Sequence, residues 1–117
     1  MNTIHYNKLI RDFIPDIIQT SGKTFLTEIL SDAYYLRMVD DKLDEELAEY
    51  HKDQNIEELA DLIEVIYAAA RARGYSLEQF EAVRTEKATK RGAFGKRLLL
   101  KQVIEPSEAA TIAKIVC

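Results

Sequence analysis

The chain has 117 residues, which fits one domain, and 47% of them are hydrophobic, which is enough for a single core. Its formal charge of −4 argues against binding to a nucleic-acid polymer, since such binding normally needs a basic patch. The single cysteine cannot form an internal disulfide, the N-terminus carries no apolar signal core, and no stretch approaches the roughly 20 apolar residues that span a membrane. These features predict a cytoplasmic protein without membrane contact.

The N-terminal segment is predicted to lead into a short helix over residues 15–20. Pro15 fits the first turn of a helix, and Gly22 is suited to end it. Two cations, Lys8 and Arg11, interrupt the apolar residues that precede this helix. On the residues alone, they are expected to form a polar cap over one end of a helical fold.

Two other segments are not predicted to be helical, and the first of them alternates weakly between apolar and polar residues. Residues 23–30 can be extended, and the apolar residues 98–100 are too few for a helix. A short two-stranded pairing of residues 24–29 with residues 98–100 is compatible with this pattern.

Two long helices are predicted in the middle of the chain. Ser31 is suited to cap a helix over residues 32–52, and a second helix over residues 56–73 ends at Gly74. The polar residues 51–55 between them are poor helix formers and predict a turn. Two helices joined by a short loop pack antiparallel. The apolar surface of the second helix is wide for one packing partner, so a homodimer is expected.

Each long helix carries two carboxylates spaced three residues apart. The four residues are Glu46, Glu49, Glu58 and Asp61. Side chains at this spacing share one helix face, with Cβ atoms about 5–6 Å apart, so a helical pair can bring all four together across a groove. Crowded carboxylates repel one another unless a cation compensates them, and hard oxygen ligands suit Mg²⁺ or Mn²⁺. The plain alternative is two solvated acidic faces, but the apolar residues inside each pair indicate the edge of the buried stripe.

A third long helix is predicted over residues 77–89. It begins with a capping-box pattern, Ser76 followed three residues later by Gln79. Three cations cluster at its C-terminal end: Lys87, Lys90 and Arg91. Cations there suit the helix dipole whatever the function, and they can also bind phosphate oxygens by charge-assisted hydrogen bonds.

The acidic pattern resembles a known enzyme group. Glu-Glu-x-x-Glu at residues 45–49, followed by Glu-x-x-Asp at residues 58–61, resembles the all-α nucleoside triphosphate pyrophosphatases, which include the MazG-like proteins and phosphoribosyl-ATP pyrophosphohydrolase. Residues 6–15, with the sequence YNKLIRDFIP, and the basic residues 90–97 resemble the start and the basic end of the same group. The gap between the two acidic phrases is shorter here than in many MazG relatives.

The resemblance covers roughly residues 5–101 and implies an all-α fold. We expect a MazG-like bundle of long antiparallel helices over residues 1–103, assembled as a homodimer or a dimer of dimers. Residues 104–117 lie outside the resemblance and are expected to form a C-terminal helical extension, with a helix over residues 108–116.

The resemblance also implies a reaction, in which an Mg²⁺-dependent enzyme, with Mn²⁺ as a substitute, cleaves the α–β phosphoanhydride of nucleoside triphosphates to the monophosphate and pyrophosphate. Such a nucleotide pyrophosphohydrolase would serve nucleotide-pool house-cleaning. The implied metal ligands are Glu46, Glu49, Glu58 and Asp61, with Glu45 as general base or as an orienting residue. The implied phosphate contacts are Lys87, Lys90 and Arg91, while Lys8 and Arg11 would reach phosphate or orient the acidic groove.

Two other functions stay open at this point. One is phosphoribosyl-ATP hydrolysis in histidine biosynthesis, which is the same chemistry on another nucleotide. The other is a helical binding or regulatory module that keeps the acidic groove without turnover. Rival site types find no support, because the sequence has no P-loop, no Cys/His set for zinc and no EF-hand loop with its central glycine.

Overall fold

A computed structural model describes residues 2–105, and over this range the chain is all-α, as predicted. The helices are α1 (Ile14–Thr20), α2 (Asp32–Asp53), α3 (Ile56–Ala72) and α4 (Leu77–Arg91). Their bounds agree with the predicted ones to within two residues. The helix predicted over residues 108–116 lies outside the described residues. None of the helices in the described range is both long and apolar enough to cross a membrane.

Local capping interactions explain where the helices begin and end. The Ser31 side chain accepts a hydrogen bond from the Tyr34 backbone N–H at 3.3 Å, which caps α2. The capping box at α4 is complete, because the Ser76 side chain accepts from the Gln79 N–H at 3.1 Å and the Gln79 side chain accepts from the Ser76 N–H at 2.8 Å. Gly74 follows α3 at a φ of 93°, a left-handed conformation that favours glycine.

The turn between α2 and α3 is shorter than predicted. The helix α2 continues through residues 51–53, so only Gln54 and Asn55 form the loop. Gln54 adopts a left-handed conformation with a φ of 51°, and its N–H donates to the Tyr50 carbonyl at 2.7 Å. Asn55 then caps α3 by accepting a hydrogen bond from the Glu58 N–H at 3.0 Å. These two interactions satisfy the helix ends within two residues, so the preceding polar residues stay helical.

The helices α2 and α3 pack against each other as an antiparallel hairpin. Arg73, just after α3, pairs with Asp40 near the start of α2 at 3.6 Å, while the other ends of the two helices meet at the loop. Val39 on α2 is the one fully buried side chain in the described residues. Leu59 and Ile63 on α3 keep 41% and 43% of their surface exposed, so the hairpin covers its apolar residues only in part.

The predicted pairing of residues 24–29 with residues 98–100 is wrong. Both segments are irregular, and no β-strand occurs anywhere in residues 2–105. A strand needs a neighbour for its backbone groups, and a weak alternation over so few residues does not supply one. Leu26 and Leu99 are accordingly 98% and 82% exposed.

The chain divides into two compact units, Met1–Thr85 and Glu86–Cys117. The first unit contains α1, the α2–α3 hairpin and most of α4, and in it Tyr67 on α3 packs edge-on against Phe80 of α4 at a ring-centroid distance of 6.1 Å. The boundary predicted at residue 103 stays a prediction.

Candidate metal site

The hairpin gathers five carboxylates at the end that carries the two-residue loop. They form two groups of three that share Glu58, and in each group carboxylate oxygens lie within 4.8 Å of one another. One group is Glu46, Glu58 and Asp61, and the other is Glu49, Asp53 and Glu58. We refer to these five residues as the carboxylate cluster. All four carboxylates singled out in the sequence belong to it.

The helix geometry explains how the cluster forms. On α2, the side chains of Glu46, Glu49 and Asp53 follow one another at spacings of three and four residues, which keeps them on one face. On α3, the Asn55 cap holds the backbone of Glu58 in the first turn, where the helix dipole favours a negative charge. Asp61 follows three residues later on the same face. The antiparallel packing then brings the two faces together.

The crowding of negative charge is visible at Glu58. Its pKa lies above the ordinary glutamate value, because partial removal from water disfavours the charged form and nearby carboxylates add repulsion. The repelling groups are Asp53, Asp61, Glu49 and Glu46. A divalent cation would relieve this repulsion, and the five side chains range from largely covered to exposed. Oxygen-only ligand sets of this kind suit Mg²⁺ and Mn²⁺.

Two cations of the N-terminal segment contact the hairpin beside the cluster. Arg11 donates from Nη2 to Oδ1 of Asp61 at 2.6 Å, and Asp61 is itself a member of the cluster. Lys8 donates from Nζ to Oε1 of Glu45 at 2.9 Å. The pKa of Lys8 is raised, chiefly by this hydrogen bond and by the charge of Glu45. The predicted phosphate contacts Lys8 and Arg11 therefore lie at the acidic end of the hairpin.

Glu45 lies outside both groups of the cluster and is held by two lysines. Besides Lys8, it accepts a hydrogen bond from Lys42 at 3.2 Å, and Lys42 also pairs with Glu46 at 3.4 Å. Burial acts to raise the pKa of Glu45, but the hydrogen bonds from Lys8 and Lys42 outweigh burial and place it below the ordinary value. Both oxygens of Glu45 are thereby engaged.

The three cations predicted on α4 belong to the second unit. They are Lys87, Lys90 and Arg91, and all are exposed on the last turns of the helix. Lys90 pairs with Glu86 at 2.9 Å, one helical turn earlier. Gly92 follows α4 at a φ of 83°, so the helix ends inside the basic segment of residues 90–97. The phosphate-binding role of these residues stays a prediction.

Two members of this site were missed in the sequence. The sequence pattern places Asp53 in the turn, although its spacing of four residues from Glu49 puts it on the acidic face of a longer α2. Lys42 also has the spacing of a helical ion pair, three residues before Glu45 and four before Glu46. Both signals are local and depend only on the bounds of α2.

Comparison with known proteins gives one partial likeness. No family model and no solved structure matches the chain. An uncharacterized protein of Mycolicibacterium smegmatis is 50% identical to it over 42 residues. These residues cover 36% of this chain and 43% of that relative, so the match spans less than half of either protein.

Proposed function

We propose that this protein is a divalent-cation-dependent nucleotide pyrophosphohydrolase that cleaves the α–β phosphoanhydride of nucleoside triphosphates. The observation that carries the proposal is the carboxylate cluster, in which each group of three brings carboxylate oxygens from both helices within 4.8 Å of one another. Two cations, Lys8 and Arg11, stand at its edge. Carboxylates that share a cation with substrate phosphates, next to basic side chains, are the usual protein arrangement for Mg²⁺-nucleotide chemistry.

The donor set fits Mg²⁺ or Mn²⁺, because it consists of hard carboxylate oxygens without sulfur or imidazole. The predicted ligands are Glu46, Glu49, Glu58 and Asp61, and Asp53 is added to them here. When bound, such an ion would neutralise phosphate charge and lower the pKa of a water molecule that attacks phosphorus. Glu58 contributes to both groups of three, so it is the ligand whose loss should harm the site most.

Glu45 is assigned the orienting role of its two candidate roles. A general base should have a pKa near the working pH, whereas the pKa of Glu45 is held below its ordinary value. Its oxygens instead fix Lys8 and Lys42, and Lys42 in turn contacts the cluster through Glu46. Glu45 would thus keep positive charge in place beside the metal ligands.

The phosphates would be held by basic side chains around the cluster. Lys8 and Arg11 already contact carboxylates at the acidic end of the hairpin, and a phosphate placed there would lie within their reach. Phosphate binding by the α4 cations Lys87, Lys90 and Arg91, which belong to the other unit, stays a prediction from the sequence.

The proposed active form is a homodimer. Leu59 and Ile63 on α3 are more than two-fifths exposed in a single chain, and only Val39 is fully buried among the described residues. A second copy that covers these side chains would complete a core that one hairpin does not enclose. A dimer of dimers would need a second interface in addition to this one. We place this enzyme in the cytoplasm.

The test is pyrophosphate release from a panel of nucleoside triphosphates in the presence of Mg²⁺. The wild-type chain should release pyrophosphate, and the variants Glu49→Gln and Asp61→Asn should lose at least about 100-fold in rate, because each removes a charged metal ligand. Matched controls are Asp44→Asn on α2 and Glu64→Gln on α3, which neutralise exposed carboxylates outside the cluster and should retain activity.

The substrate panel should also include phosphoribosyl-ATP. Faster turnover of that compound than of any nucleoside triphosphate would move the assignment to the histidine-biosynthetic reaction with the same residues in the same roles. Cation binding without turnover of any compound would identify a regulatory module instead. Full activity in both ligand variants would overturn the assignment of the cluster.

A further inference from the structure

Lys8 and Arg11 form ion pairs with carboxylates that are far away in the sequence. The two residues lie three positions apart in an irregular segment, yet they pair with carboxylates 37 and 50 residues away, on α2 and α3 respectively. Both ion pairs remain open to water, with side-chain exposures of 43% and 31% for Lys8 and Glu45 and of 57% and 42% for Arg11 and Asp61. Exposed pairs of this kind add little to the stability of a fold.

Arg11 uses a carboxylate that the proposed metal site also needs. Its guanidinium lies 2.6 Å from Oδ1 of Asp61, and Asp61 forms a group of three with Glu46 and Glu58. A positive charge so close to a ligand repels an incoming divalent cation, although it also steadies the carboxylates against one another. Its presence therefore weakens the affinity of the cluster for a bare ion.

Lys42 is a fixed counter-ion and differs from the two N-terminal cations, Lys8 and Arg11, in exposure and in the position of its partners. It is only 15% exposed, and it pairs with Glu45 and Glu46 within its own helix. Lys8 and Arg11 are instead 43% and 57% exposed, so they can leave their carboxylates at a smaller cost in lost packing than Lys42.

We propose that Lys8 and Arg11 are exchangeable counter-ions, which pair with the hairpin carboxylates in the free protein and transfer to phosphate oxygens when a cation–pyrophosphate group binds. This inference rests on the proposed function and specifies how its substrate is admitted. A bare cation meets the opposing charge of Arg11, whereas a cation that carries phosphates supplies Arg11 with a new anionic partner. The site thus selects the cation–phosphate complex over the free cation.

The inference predicts effects of opposite sign in one variant. Arg11→Gln removes the repelling charge and should bind Mn²⁺ alone roughly tenfold more tightly, by the Coulomb energy of a unit charge near a divalent ion in a solvent-exposed site. The same variant loses a phosphate partner, so it should bind inorganic pyrophosphate at saturating Mn²⁺ roughly tenfold more weakly. A residue with a merely structural role would not move the two affinities in opposite directions.

Two measurements are made on the 117-residue chain. Mn²⁺ binding is monitored by the electron paramagnetic resonance signal of the free ion, and pyrophosphate binding is measured by calorimetry. The matched control is Arg73→Gln, because Arg73 has the same 57% exposure as Arg11 and pairs with a carboxylate, Asp40, that lies outside the cluster. It should change neither affinity. Arg11→Lys keeps the charge and should restore most of the wild-type behaviour. If Arg11→Gln fails to fold, Lys8→Gln serves the same comparison with a smaller shift.

Weaker or unchanged Mn²⁺ binding in both glutamine variants would overturn the inference, because Arg11 would then orient Asp61 rather than oppose the cation. Failure of the proposed enzymatic function would give a different experimental result from failure of the counter-ion exchange. Wild-type protein that binds Mn²⁺ but releases no pyrophosphate from any nucleotide would refute the enzymatic proposal while leaving the counter-ion exchange to be decided by the binding data. Absence of Mn²⁺ binding in the wild type and in both variants would refute both.

Discussion

Asp53, the last residue of α2, brings a carboxylate oxygen within 4.8 Å of one from Glu58 on α3, across a loop of two residues. This proximity extends the proposed ligand set beyond the four residues that the sequence pattern indicates. It also couples the length of the loop to the chemistry of the site, because one further loop residue would change the register between the two side chains.

Asp53→Asn should therefore weaken Mn²⁺ binding by about tenfold, since it removes one charge from an oxygen-ligand set. Asp44→Asn is the control, because Asp44 is an exposed acid on the same helix outside the cluster. Mn²⁺ titration of both variants gives the comparison. If Asp53→Asn binds Mn²⁺ as tightly as Asp44→Asn, then Asp53 is a solvated surface residue and not a ligand. The proposed ligand set would then be the four residues predicted from the sequence.

The cap of α3 is expected to serve the site as well as the helix. Asn55→Ala removes the acceptor for the Glu58 N–H and should cost about 1 kcal/mol in the free energy of unfolding, measured in urea. Because the cap holds the backbone of Glu58, the affinity for Mn²⁺ should fall too. Ser31→Ala removes the cap of α2, far from the cluster, and should cost similar stability at unchanged Mn²⁺ affinity. Parallel losses of affinity in both variants would show that the effect is general destabilisation.

Local sequence signals predicted most of the fold. The cap at Ser31, the capping box that begins at Ser76 and the glycine stop at Gly74 each depend on residues within a few positions, and all three are confirmed. The loop is shorter than the sequence predicts because Gln54 adopts a left-handed conformation, which is uncommon for a residue other than glycine and is not indicated by a polar composition.

The site was predictable only in its periodic part. Carboxylates at helical spacing lie on a common face whatever the tertiary structure, so the gathering of Glu46 with Glu58 followed from two helices and a short turn. The pairing of Arg11 with Asp61 spans 50 residues and depends on the path of an irregular segment. No periodicity in the sequence encodes that path. The strand pairing is likewise wrong because pairing between distant segments cannot be deduced from a local pattern.

The raised pKa of Glu58 predicts a pH-dependent effect on stability. A carboxylate whose pKa is higher in the folded than in the unfolded state stabilises the fold while both states are protonated, and this contribution disappears as the pH rises through the folded-state pKa. At pH 7 without divalent cations, Glu58→Gln should therefore raise the melting temperature, and the gain should vanish at a pH below the ordinary glutamate range. Thermal unfolding at the two pH values measures it.

Glu45→Gln provides the opposite case for the same experiment. The pKa of Glu45 is lowered on folding, so its contribution to stability is present above the unfolded-state pKa and is lost as the pH falls. This variant should melt at a lower temperature than the wild type at pH 7 and match it in acid.

A destabilising effect of Glu58→Gln at pH 7 in the absence of cations would contradict the crowding of charge in the cluster. Added Mn²⁺ should stabilise the wild type and not Glu58→Gln, because only ligand-competent protein gains from binding.

The apolar face of α3 leads to a prediction about assembly. Ile63 is 43% exposed in the single chain, and a charged side chain there would carry its desolvation cost into any interface that covers it. Ile63→Glu should convert a dimer into a monomer in sedimentation-velocity experiments and lower the melting temperature. Leu26→Glu makes the same chemical change in an irregular segment, at a side chain that is 98% exposed, and should leave the sedimentation coefficient unchanged. A wild-type chain that sediments as a monomer at micromolar concentrations would show that the exposed face of α3 is not a homodimer interface.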